Sequence, residues 1–195
     1  PTSETVEYLN STTGMDRVES PQLAGRLLDQ HLQKLREIAG QAWIQDSANP
    51  LPYRINRTTV WCGIEDLPPA IHNRTRIPAP DHQVIKMLFD LRNAGDAEAL
   101  LKAAEGRVPQ YVLWLDLSRF SAEALARLGG KYRRAYHAVC QETAYFVHRL
   151  PGLDDLTFAD GTPFANPETQ CWLKSIALSA GSDGEAVSQT RQRSN

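Results

Sequence analysis

The chain has 195 residues and a mass of 21.8 kDa, room for one ordinary domain with tails or for two small domains. Hydrophobic residues make up 42% and charged residues 23%, an average globular composition able to bury a core. Lys and Arg number 21 against 23 Asp and Glu, and this net charge of −2 lacks the basic footprint of a general nucleic-acid binder. No apolar run reaches the roughly 18 residues that a membrane span needs, so membrane insertion is not expected.

Residues 1–20 are poor in large apolar groups, and Glu4, Glu7, Asp16 and Glu19 against Arg17 give them a local charge of −3. Such a segment cannot repay its ordering entropy by burial and reads as a flexible linker. The tail 179–195, SAGSDGEAVSQTRQRSN, has the same character. The first residues show no apolar stretch with basic flanks, so no signal peptide is expected, and a start at Pro1 suggests a fragment of a longer protein. Cys62, Cys140 and Cys171 are odd in number and far apart, which fits reduced thiols in a cytoplasmic protein.

Between the tails, the block 21–178 reads helical almost throughout. Ser20-Pro21 offers a cap and a first-turn proline. Leu23, Leu27, Leu28, Leu32, Leu35, Ile38, Ala39 and Ala42 then predict one apolar helix face reaching about Gln45. Asn49-Pro50-Leu51-Pro52 stops that helix, and Tyr53 to Gly63 leaves room for another. Pro68, Pro69, Pro78 and Pro80 bracket a loop that suits neither a helix nor a central strand. Asp81 is a cap for a helix with Val84, Ile85, Leu88, Phe89 and Leu91 on its buried stripe. Asn93-Ala94-Gly95-Asp96 turns the chain into a short helix, Ala97 to Glu105.

Pro109 is expected to open the next helix, with Tyr111, Val112, Trp114, Leu115, Leu117 and Phe120 and a register change near Ser121. Gly129-Gly130 breaks it. Tyr132, Tyr136, Val139, Cys140, Thr143, Phe146, Val147 and Leu150 form the cleanest amphipathic pattern in the chain, ended by Pro151-Gly152. A last helix starts near Asn166-Pro167 and runs to about Leu178. The class is all-α: a compact helical domain of about seven helices, with flexible tails.

Catalytic chemistry finds no footing in these residues. Asp160-Gly161-Thr162 would suit an aspartyl-phosphate loop only with a second Asp nearby, where Phe158 stands, so it reads as a turn. Gly129-Gly130-Lys131 lacks the remaining signature of a phosphate loop. None of His31, His72, His82, His137 and His148 pairs with another at helical spacing, and His137 with Cys140 makes only two ligands. No catalytic residue, metal site or cofactor is therefore expected. Arg74 and Arg76, in the proline-bounded loop, are candidates for contacting an acidic partner, and Tyr111 and Trp114 are candidate interface anchors.

Several segments, taken together and in order, resemble a known family. Trp61-Cys62-Gly63-Ile64, Leu67-Pro68 and Arg76-Ile77-Pro78-Ala79-Pro80 come first. Gly95-Asp96 with Leu100-Leu101 and Glu105, Trp114-Leu115-Asp116-Leu117 and Ala124-Leu125-Ala126-Arg127-Leu128-Gly129 follow. Arg149-Leu150-Pro151-Gly152-Leu153, Phe158-Ala159-Asp160-Gly161-Thr162-Pro163-Phe164-Ala165 and Thr169 to Trp172 complete the series. The stretch from Pro21 to Leu178 is similar to the VasJ-like middle domain of type VI secretion TssA proteins of the ImpA type.

The resemblance implies a non-enzymatic module in the bacterial cytoplasm that supports self-association, most simply as a dimer. It also implies work with other TssA domains and with baseplate and tube–sheath components. It brings no catalytic residues. Cys62, where the family commonly has Leu, is expected to be a small buried hydrophobe. Two other classes stay open: a helical adaptor outside secretion, for which no internal repeat of about 30–45 residues is visible, and a helical enzyme domain.

Overall fold

The computed structural model describes residues 21–177. The tails 1–20 and 179–195, read above as linkers, lie outside the described residues, as do Ser20 and Leu178. Two units divide the chain, one ending at Lys34 and the other starting at Leu35. Of the first, the described part is helical from residue 21 to 34. The account below concerns the second unit unless stated.

Helix α1, Pro21–Gln45, ends where predicted. Asp46 accepts the Ala48 N–H through Oδ1 at 3.0 Å, and Asn49 caps α2, Pro50–Trp61, by accepting the Leu51 N–H at 3.0 Å. The Asn-Pro-Leu-Pro segment thus starts one helix as well as stopping another, with Pro50 at a first-turn position that needs no N–H. A hydroxyl relay ties the corner together. The Trp43 indole N–H donates to the Tyr53 hydroxyl at 2.9 Å, and Tyr53 Oη donates to the Ser47 carbonyl at 2.6 Å.

The proline-bounded loop folds into a ribbon. Strands β1, Ala70–Ile71, and β2, Arg74–Thr75, pair antiparallel around a two-residue turn. His72 and Asn73 hold φ of 50° and 63°, the twist of a type I′ turn. Thr157 continues the ribbon: it receives the Thr75 N–H at 2.9 Å and donates its own to the Asn73 carbonyl at 2.8 Å.

Helix α3, His82–Ala94, is capped by Asp81 and ends on Gly95 at φ 75°, a left-handed conformation that suits glycine. Asp96 caps α4, Ala97–Glu105, through the Ala99 N–H at 3.0 Å. Residues 106–115 are turns, so the helix expected to open at Pro109 does not form, and α5 starts only at Asp116. Tertiary bonds replace the helical ones. The Val112 carbonyl accepts the Trp61 indole N–H at 2.9 Å, and the Leu115 N–H goes to the Phe164 carbonyl at 2.7 Å.

Helix α5, Asp116–Leu128, also runs straight through Ser121, where a register change was expected. Every residue from Asp116 to Ala122 is buried. This is the central helix, packed against α4 and against α6, Arg133–Arg149. A helix enclosed on several sides shows no polar face, so its period is hard to read. Gly129 and Gly130, at φ 60° and 45°, break the chain into a 3₁₀ turn, Gly130–Tyr132, ahead of α6. A second 3₁₀ turn, Leu153–Asp155, follows, and α7 occupies 167–177, its start held by Asn166 Oδ1 on the Thr169 N–H at 2.9 Å. The described residues thus hold seven α-helices and one short ribbon, the all-α class expected.

Candidate protein–protein interface

The apolar face predicted for α1 forms, but this chain buries little of it. Ala39 alone is fully buried. Leu35 and Ile38 are 44% and 51% exposed, and in the segment before residue 35 Leu28 is 60% exposed. Among the described residues, α1 meets the body through Ala39, the Trp43–Tyr53 hydrogen bond and Arg36, whose Nη1 donates to the Thr59 carbonyl at 3.2 Å.

On another flank of α1 a groove of about 610 Å³ opens between Gly40, Trp43 and Ile44, Pro52 of α2, and Gly106 and Pro109. Asn56 and Glu105 also line it, and Glu105 belongs to a buried ion pair. Arg57, fully enclosed, meets Glu105 through two bonds of 3.1 and 2.8 Å, and Asn56 adds a third to the same carboxylate at 3.3 Å. The bidentate geometry offsets the loss of hydration on both charges.

A second buried polar cluster fastens α7 to α5. Asp116 accepts from the Trp114 indole at 3.1 Å, the Asn166 N–H at 3.0 Å and the Thr169 hydroxyl at 2.5 Å. Burial nevertheless raises its carboxyl pKa above the ordinary value, against those bonds. Arg119 donates to Thr169 Oγ1 at 2.8 Å and pairs with Glu123 and Glu168. Arg92 joins the same two carboxylates at 2.7 and 2.9 Å. These groups cross-brace helices.

The sequence candidates separate into two pairs. Tyr111 and Trp114 meet edge to face at 5.9 Å, on the turn leading into α5. Trp114 is only 3% exposed and its N–H is committed to Asp116, so its role as an interface anchor is corrected: it belongs to the core. Tyr111 is half-buried beside it. Arg74 and Arg76 are both exposed, and neither has an ion-pair partner among the described residues. Arg74 lies over the Asp160–Thr162 turn, its Nη2 3.0 Å from where a Cβ on Gly161 would stand.

That turn is closed as expected, with the Thr162 N–H on Asp160 Oδ1 at 2.8 Å and Gly161 at φ 95°. Its backbone N–H holds the Asp160 carboxyl below its ordinary pKa. Cys62 is a second correction: it is exposed at the end of α2, while its neighbour Trp61 takes the buried place, stacked on Phe146 at 4.3 Å. Among the described residues no group of three or more His, Cys, Asp or Glu is placed to hold a metal ion, and no helix is long and apolar enough to cross a membrane.

Sequence reasoning missed that α1 stays uncovered on one flank. The signal was present, since the apolar series contains more residues than one helix contact can bury.

Among curated proteins none matches the chain. Residues 27–195 match the family described as Type VI secretion, EvfE, EvfF, ImpA, BimE, VC_A0119, VasJ, so the match includes the tail 179–195. With that match over most of its length, and with the helical fold the resemblance implied, the chain belongs to the VasJ/ImpA family of type VI secretion.

Proposed function

We propose that this domain is a non-enzymatic assembly module of a TssA-type protein in the bacterial cytoplasm. It supports self-association, most simply as a dimer, and through it the assembly of baseplate and tube–sheath components. The observation carrying this reading is the row of large apolar side chains left exposed along α1. Contiguous exposed apolar surface on a helix marks a protein contact. Family membership supports a place in secretion. Arg74 and Arg76, exposed and without carboxylate partners among the described residues, support a further contact with an acidic protein surface.

In this reading 21–178 is the folded block, and 1–20 and 179–195 are linkers that keep neighbouring domains within reach. Repeated weak contacts then act together through effective concentration. Deleting residues 21–178 from the parent protein, with fluorescent sheath imaging in cells, tests the role. Sheaths should become fewer or shorter while the remaining domains still accumulate. Normal sheath number and length would refute it.

A further inference from the structure

The proline-bounded loop presents its two arginines from a pinned backbone. Thr75, between them, is buried and donates its hydroxyl to the Thr157 carbonyl at 2.9 Å, beside the bond from its own N–H to the same oxygen. The Ile77 N–H closes back onto Thr75 Oγ1 at 3.3 Å, and the Ile77 carbonyl accepts the Ala159 N–H at 2.9 Å. Arg74 and Arg76 flank this anchored residue, and both are exposed. Their Cα atoms stand no more than about 7 Å apart. The Arg74 guanidinium lies over Gly161, where a Cβ would be 3.0 Å from Nη2. It makes no ion pair there: the Asp160 carboxylate accepts from the Thr162 N–H at 2.8 Å and the Thr162 hydroxyl at 3.0 Å. Among the described residues neither arginine spends its donors on an ion pair or a side-chain hydrogen bond. Ile71, directly opposite Arg74 in the ribbon and so on the same face, is 69% exposed.

We propose that this face of the ribbon binds a short extended segment of another protein, with two carboxylates on alternate residues and an apolar side chain beside them. The inference rests on the acidic-contact reading above and names the partner's chemistry. Charge complementarity selects the carboxylates. Two guanidiniums with unspent donors leave the backbone a short, fixed distance apart, and alternate residues of an extended chain also stand about 7 Å apart. Each planar fork can take one carboxylate through paired N–H bonds. Pinning the backbone through Thr75 lowers the ordering cost of the contact. Ile71 supplies the apolar part. A polyphosphate fits less well, because the Asp160 carboxylate stands on the adjacent turn and the chain as a whole carries a net charge of −2.

Fluorescence anisotropy of labelled peptides with the 195-residue chain tests this at about 0.1 M salt, where exposed charges more than roughly 10 Å apart are screened. The probe is the synthetic peptide GSLTEVESG. It should bind saturably, GSLTQVQSG should not, and GELTSVSEG, with the same composition but its glutamates spread, should bind severalfold more weakly. R74Q/R76Q should raise Kd about tenfold or more by removing both forks. R133Q/R134Q removes the same charge from another exposed pair and should change Kd about twofold at most. All four positions are exposed, so helical circular dichroism should be kept. Equal losses from the two arginine pairs, or equal binding of GELTSVSEG, would overturn the proposal, as would tighter binding of a short thymidine oligonucleotide. None of these readouts depends on secretion. A chain that binds no peptide, from a parent whose deletion still shortens sheaths, would overturn this contact and leave the assembly role standing. Peptide binding beside normal sheaths would refute the role and leave the contact.

Discussion

Arg57 and Glu105 show what a single buried charge demands. Arg57 is fully enclosed, and its guanidinium is neutralised by one carboxylate reached across the sequence from α4. Glu105→Ala is expected to cost about 3–5 kcal/mol, because it leaves an uncompensated buried cation. Arg57→Met combined with Glu105→Leu should cost much less, since no charge is then stranded. Urea unfolding of the three proteins checks this, and equal losses would contradict it.

The thiols differ in the same way. Burial pushes Cys140 up to about 11, whereas Cys62 and Cys171 are exposed. At pH 8, titration with a thiol reagent should find Cys62 and Cys171 reacting promptly and Cys140 only after denaturant is added. The sign of the pH effect follows. The folded chain keeps Cys140 protonated above the ordinary value of 9.0, so this contribution to stability is complete below pH 9 and lost as pH rises toward about 11. Cys140→Ala should flatten that alkaline decline in a series of unfolding curves.

At the scale of elements, helix boundaries follow local chemistry wherever a cap or a glycine is present. Gly95 and Asp96 end one helix and begin the next within two residues. Gly95→Ala should destabilise by about 1–2 kcal/mol through its left-handed backbone, and Asp96→Ala by about 1 kcal/mol through the lost cap. Differential denaturation measures both, and a neutral Gly95→Ala would show that the turn relaxes. The failure at Pro109 is instructive beside these successes. Residues 106–115 contain helix-compatible side chains, but the Val112 carbonyl and the Leu115 N–H are claimed by Trp61 and Phe164 from distant parts of the chain. No local pattern reports such partners.

Helix α5 was misread for a related reason, as burial on several sides erases the polar face on which periodicity depends. Its N-terminus carries the Asp116 cluster, and there too the sign can be worked out. Burial raises the carboxyl's folded pKa, so the folded chain holds the proton more tightly than the unfolded one. Stability from this group therefore falls as pH rises from the ordinary carboxylate value through the raised one, and Asp116→Ala should remove that slope from the acid limb of a stability–pH curve.

For the whole molecule, the domain reading predicts that limited proteolysis trims both ends and leaves a resistant fragment containing Val84–Leu150. Early cleavage inside that span would refute the single block.

The sequence by itself determined the helical class, most helix boundaries and the glycine-ended turns, because caps, prolines and amphipathic spacing act over a few residues; the family came from the resemblance carried by its ordered motifs. It also offered Trp114 as an interface anchor and Cys62 as a buried hydrophobe, and tertiary structure reversed both. Which apolar side chains are covered depends on what stands opposite them. Trp114 is enclosed because Asp116 and the segment around Phe164 close over the start of α5. Leu35 and Ile38 stay exposed because the described contacts between the body and α1 run through Arg36, Ala39 and Trp43. Amphipathic spacing tells that a face is apolar. Only the packed chain decides whether the protein covers that face itself or leaves it for another.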